Sequence, residues 1–167
     1  MSESSFRDSR GEAHEPRLPL TLPFAGGADP DHPNREIERF EPREHTLGAD
    51  IHQLKEARDF AERAAAELGF NDDDRYQVKL AVSEAVTNAI EHGSNSPQDS
   101  VRITVSVQAR TLVFEVFDTG RFVPRVMRGG DMPAGGRGLE FMRLMMDEVD
   151  LHPGTDGTRL RLSKRLQ

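Results

Sequence analysis

Along residues 82–93, VSEAVTNAIEHG, a carboxylate, an amide and an imidazole recur every fourth position as Glu84, Asn88 and His92. On a helix that spacing stacks side chains one above the other. A carboxylate at 84 can accept a proton from a hydroxyl or orient a water. The amide oxygen of Asn88 is a hard, neutral ligand of the kind Mg²⁺ takes, since that ion keeps most of its waters and uses few protein groups. Val78, Ala81, Val82, Ala85, Val86, Ala89 and Ile90 fill an arc of about 180° on the helical wheel, and the polar row runs along its edge. By itself, a Glu/Asn pair at this spacing is ordinarily a solvated stripe.

Three further stretches carry candidate chemistry. VFEVFDTG (113–120) is an apolar strand ending in Asp118 and Gly120. A carboxylate there can accept from an exocyclic amine such as that of adenine, and a glycine two residues on lets a flat ring approach the backbone; a plain Asp-Gly turn reads equally well. In GGDMPAGGRGLEFM (129–142), Gly135, Gly136 and Gly138 precede an apolar-periodic helix. Such a junction offers free N–H groups and the positive end of a helix dipole to a phosphate, with Arg137 adding a fixed charge. It matches neither a Walker loop nor a dinucleotide fingerprint. The following run Leu139, Met142, Leu144, Met145 and Met146 reads as core packing. In GTDGTRLRL (154–162), the Thr158 hydroxyl can support a polar base edge.

The elements that must position these groups follow from pattern. REIERFEP (35–42) reads as a short edge strand closed by Pro42. Residues 48–70 carry apolar positions at helical spacing from Ile51 to Leu68, with Asp50 as N-cap and Gly69 as stop. A second helix begins at the acidic cluster Asn71–Asp74 and ends near His92, with Gly93 stopping it. Residues 101–120 alternate as a hairpin turning at Ala109–Arg110. A loop with six glycines occupies 120–138. A helix over 139–149 and a closing strand over 157–166 complete the order. The expected class is α+β, a two-layer sandwich with helices on one face of a mixed, mostly antiparallel sheet.

The chain has 167 residues, enough for one domain. Six of the ten prolines fall within residues 16–42, and residues 1–35 read as a flexible Pro/Gly-rich arm preceding a domain over 36–167. A net charge of −7 argues against general nucleic-acid binding. With no cysteine, disulfides and thiolate metal sites are excluded. Neither a signal peptide nor an apolar run of ~18 residues is present, so the expected location is cytoplasmic, off the membrane.

Taken together and in order, SEAVTNAIEHG, FDTG, GGRGLEFM and GTRLRL resemble the N-box, the two glycine boxes and the terminal strand motif of the GHKL (Bergerat-fold) ATPase domains. More closely, the chain resembles the anti-sigma-factor serine/threonine kinases of bacterial partner-switching systems. The resemblance covers about residues 36–166. It implies that Asn88 holds Mg²⁺ against the phosphates of ATP and that Glu84 is the catalytic base toward a substrate serine. Asp118 would accept from the adenine amine, Gly120 would lie beneath the ring, and Thr158 would support the same edge through water. Gly136, Arg137 and Gly138 would flank the phosphates. The implied partners are an anti-anti-sigma protein of the STAS type, a sigma factor and a possible second copy of the chain. In phosphoryl transfer a protein contributes mainly positioning and charge neutralisation, so few residues suffice.

Two alternatives remain open on the sequence. A regulatory module of the same fold would hold a partner without turning ATP over. FDTG also resembles the active-site triplet of aspartic proteases, in which paired aspartates share a proton, although that architecture is nearly all β.

Overall fold

The computed structural model describes residues 35–94, 96, 98–119 and 136–167. The elements are helix α1 (Arg35–Arg39), strand β1 (Arg43–Gly48), a 3₁₀ turn (Ile51–Gln53), helices α2 (Leu54–Glu67) and α3 (Asp72–Gly93), strands β2 (Ser100–Gln108) and β3 (Thr111–Asp118), helix α4 (Gly136–Met145), and strands β4 (Glu148–Pro153) and β5 (Thr158–Arg165).

Local chemistry explains the helix boundaries. Asp50 caps the 3₁₀ turn by accepting from His52 N at 2.9 Å. Gly69 takes a φ of 78° after α2, a left-handed conformation that costs glycine little. Asn71 caps α3: its Oδ1 accepts from Asp74 N and its Nδ2 donates to Asp74 Oδ2, both at 2.8 Å. Three acids, Asp72 to Asp74, then occupy the positive first turn.

The five strands form one sheet in the order β1-β2-β3-β5-β4, every neighbouring pair antiparallel. Period-two alternation sends Val101, Ile103 and Val105 of β2, Leu112, Phe114 and Val116 of β3, and Leu160 and Leu162 of β5 into the core. There they meet Phe60, Ala61, Val78, Val82, Val86 and Ala89 from α2 and α3. α3 packs on β2, β3 and β5, and α4 packs beside α3. The other sheet face is polar: Arg161 reaches across to Gln108 Oε1 at 2.9 Å, and the Arg102 guanidinium lies 5.1 Å from the Phe117 ring centre.

Four expectations are corrected. REIERFEP is not a strand; Arg35–Arg39 is helical and the edge strand begins after Pro42, at Arg43. Arg and Glu are strong helix formers and outweigh a weak alternation. The sheet is antiparallel throughout its described strands rather than mixed, because β3 and β4, which run in the same direction on either side of α4, are separated by β5 running against both. The last helix ends at Met145 rather than at 149, and Glu148 and Val149 belong to β4. Leu144 does not pack in the core: it is 83% exposed, whereas Met142 and Met146 of the same run are buried. Of the proposed arm over 1–35, residues 1–34 lie outside the described residues and Arg35 opens α1; most of the glycine loop, including Gly120, also lies outside the described residues.

Candidate nucleotide site

The 22-residue α3 carries Glu84 and Asn88 half-buried and His92 exposed in its last turn. Residues on either side of the row, Ala81, Val82, Ala85, Val86 and Ala89, are buried against the sheet. The polar row thus borders the core, and what lies opposite it decides whether it is a stripe or a site.

The N-terminal turn of α4 lies opposite. A β-carbon built on Gly138 would stand 2.5 Å from Glu84 Oε1 and 3.1 Å from Asn88 Nδ2. Those separations are below normal contact, so a larger residue here would have to displace the ends of the Glu84 and Asn88 side chains. Gly136 opens the same turn and Arg137 is exposed beside it. This end of α4 brings backbone N–H groups and a positive dipole end to the Glu84–Asn88 edge.

Asp118 sits on the core-facing side of β3, continuing the series Leu112, Phe114, Val116, and is only 6% exposed. Its register partner on β5 is Thr158, also buried. Two glycines press on this residue, one on its carboxylate and one on its backbone carbonyl. A β-carbon on Gly93, the last residue of α3, would fall 2.1 Å from Asp118 Cγ. One on Gly157, whose φ is 146°, would fall 1.9 Å from Asp118 O. Helix end, strand end and turn therefore close on a single buried acid, and neither glycine position has room for a side chain.

Asn88 and Gly93 are five residues apart, about 7.5 Å along a helix axis at 1.5 Å per residue. α3 therefore links the two halves: Glu84, Asn88 and Gly138 on one side, Asp118, Thr158, Gly93 and Gly157 on the other. Gly93 and Gly157 are contributors the sequence reading missed. Gly93 read only as a helix stop, and the signal that would have flagged it was a buried acid at a strand end needing a bare backbone beside it.

The donor set suits a hard cation only in company. Among the described residues, no group of three or more His, Asp or Glu is placed to hold a metal ion. Asn88 offers one amide, which fits an ion that takes its remaining ligands from phosphate and water. A separate depression of about 260 Å³ is lined by Asp59, Glu62, Arg63, Ala66 and Arg75. Within it Arg75 pairs with Glu62, which Lys79 also reaches, and Asp59 pairs with Lys55; it lies at the opposite end of α3 from Asp118.

The chain belongs to the histidine kinase-like ATPase domain family, whose model matches residues 47–164, and its helices layered on one antiparallel sheet accord with that class. Within it, the chain is similar to anti-sigma F factors. It is 33% identical over 104 residues to that of Anoxybacillus flavithermus, covering 56% of this chain and 71% of that protein. It is 34% identical over 110 residues to that of Clostridium botulinum strain Eklund 17B, covering 60% and 77%. A solved structure of the RsbU and RsbW domains of Rv1364c from Mycobacterium tuberculosis superposes with a TM-score of 0.60 at 24% identity, over 76% of this chain and 33% of that longer one; this likeness concerns the fold. The aspartic-protease reading of FDTG falls, because the triplet opens from a helix-covered five-stranded sheet. No helix among the described residues is long and apolar enough to cross a membrane.

Proposed function

We propose that this chain is an anti-sigma factor that acts as an ATP-dependent protein serine/threonine kinase, transferring phosphate to a serine of an anti-anti-sigma protein and sequestering a sigma factor. The observation that carries the reading is the close approach of Gly138 to both Glu84 and Asn88, an N-terminal helix turn next to a carboxylate and an amide, which supports roles for them as phosphate site, base and metal ligand. The similarity to anti-sigma F factors supports the choice of partners.

In this reading Asp118 and Thr158 receive the adenine edge, and Gly120 underlies the ring. The helix end at Gly136, Arg137 and Gly138 faces the phosphates. Asn88 would hold Mg²⁺, which supplies charge neutralisation on the phosphate oxygens. Glu84 accepts the proton of the substrate serine as its oxygen bonds to the γ-phosphorus. The bond from that phosphorus to the β,γ-bridging oxygen breaks, and ADP leaves with the electron pair.

Incubation with γ-labelled ATP and a candidate anti-anti-sigma protein tests the reading. Label should move to the partner with the wild-type chain, and transfer should fall by roughly 10²-fold or more in Glu84→Ala, the scale of losing a general base. Transfer that survives unchanged in Glu84→Ala removes Glu84 from the role. Tight partner binding with no transfer by the wild-type chain assigns the regulatory, non-catalytic alternative instead.

A further inference from the structure

At the end of the sheet away from Asp118 lies a buried lysine that nucleotide chemistry does not use. Lys164 continues the core-facing series Thr158, Leu160, Leu162 on β5, six residues from Thr158 and so about 20 Å along the strand. It is 8% exposed. A buried ammonium is costly unless all three of its N–H groups find partners. Lys164 Nζ donates to Gln77 Oε1 at 2.7 Å and to Met145 O at 2.9 Å, and pairs with Asp74 Oδ1 at 3.1 Å.

Each partner belongs to a different part of the helical layer. Asp74 is the acid in the first turn of α3 held by the Asn71 cap. Gln77 lies one turn on. Met145 O is a terminal carbonyl of α4, one of the acceptors that a helix end leaves without an intrahelical donor. The cation thus sits at the negative end of the α4 dipole and next to an acid at the positive end of α3. α4 is ten residues long, about 15 Å at 1.5 Å per residue. Its other end is the Gly138 turn pressed on Glu84 and Asn88. The helix is held at both ends against α3: by close packing at the glycine and by the ammonium at the carbonyl.

We propose that Lys164 is a positioning residue for the phosphates of the nucleotide: by fixing the C-terminal end of α4 to α3 and β5, it sets how close the N-terminal glycine turn stands to Glu84 and Asn88. The inference rests on the nucleotide reading above. It makes a selective claim, because Asp118 and Thr158 are held by β3, β5 and Gly93 and not by α4. Loss of the clamp should therefore weaken recognition of phosphates and leave recognition of the adenosine part intact.

The test compares Mg-ATP, by titration calorimetry, with adenosine, by ligand-observed NMR, on the full chain at a temperature well below its melting point. Lys164→Met keeps the length of the side chain and removes the donors. It should weaken Mg-ATP about tenfold, the scale on which residues between two coupled places modulate binding, with adenosine unchanged within roughly twofold. Gln77→Leu removes one acceptor and keeps the Asp74 pair, so it is the milder second variant if Lys164→Met fails to fold. It should show the same selectivity at about threefold. Equal loss for both ligands would make Lys164 a stability residue only, and undiminished Mg-ATP affinity in both variants would remove its role; either overturns the inference while the nucleotide reading stands. A wild-type chain that binds neither ligand overturns both.

Discussion

Asn88 occupies a position where chemistry and packing separate cleanly. It is half-buried at the edge of α3, while its neighbours Ala85 and Ala89 carry the contacts with the sheet. Asn88→Ala should therefore abolish Mg²⁺-dependent nucleotide binding, read by calorimetry with and without the ion. The melting temperature should shift by no more than an ordinary surface substitution, roughly 0.5 kcal/mol in stability. Undiminished, Mg²⁺-dependent binding in this variant would take the amide out of the site. The row of Glu84, Asn88 and His92 was visible in the sequence because four-residue spacing is a local property of a helix. Its partner was visible only as a composition, a glycine-rich run. That Gly138 in particular meets Glu84 depends on the approach of two helices separated by more than forty residues of chain.

The capping of α3 belongs to the scale of elements. Asn71 satisfies the Asp74 N–H and also donates to its carboxylate, and Asp74 in turn pairs with Lys164. Asn71→Ala should cost about 1–2 kcal/mol, the upper part of the range for a lost N-cap. In urea the midpoint should fall with the m-value unchanged, since the surface exposed on unfolding is the same. A midpoint within error of wild type would show the cap to be dispensable. The acidic cluster announced this helix start in the sequence, as Gly69 announced the end of α2. β4 was not announced. Its only apolar alternation is Val149 and Leu151, flanked by exposed Glu148, Asp150 and His152, and the helical run of methionines before it masked so short a signal. α1 was misread for the opposite reason: five residues are too few for either period to declare itself, and propensity decided.

For the whole molecule, the core is assembled from residues that begin at Ile37 and end at Leu166 among those described. Arg43 of the edge strand joins this core to α2 through paired contacts with Glu67, Nη1 to Oε1 at 3.0 Å and Nη2 to Oε2 at 2.5 Å. That hydrogen-bonded pair holds the guanidinium pKa above its ordinary value, although at this exposure the ion pair adds little stability. A chain starting at residue 35 should keep the complete hydrophobic cluster. Its melting temperature should match the full chain within a few degrees and its Mg-ATP affinity within about twofold, because the described hydrophobic cluster and the candidate site both lie after residue 35. Cooperative unfolding lost on truncation would instead place part of the first 34 residues in the fold.

Two periodicities were enough, from sequence alone, to propose the chemistry this chain could present: the helical interval that lines up Glu84 with Asn88, and the strand interval of Leu112, Phe114 and Val116 that ends at Asp118. Both are short-range, set by the geometry of a backbone a few residues long. Which of those groups would meet was decided by strand order and helix docking, where Gly138 closes on Glu84, Gly93 and Gly157 close on Asp118, and Lys164 closes on the end of α4. Such contacts join residues far apart in the chain, and they exist only once the hydrophobic faces of sheet and helices have been buried against one another.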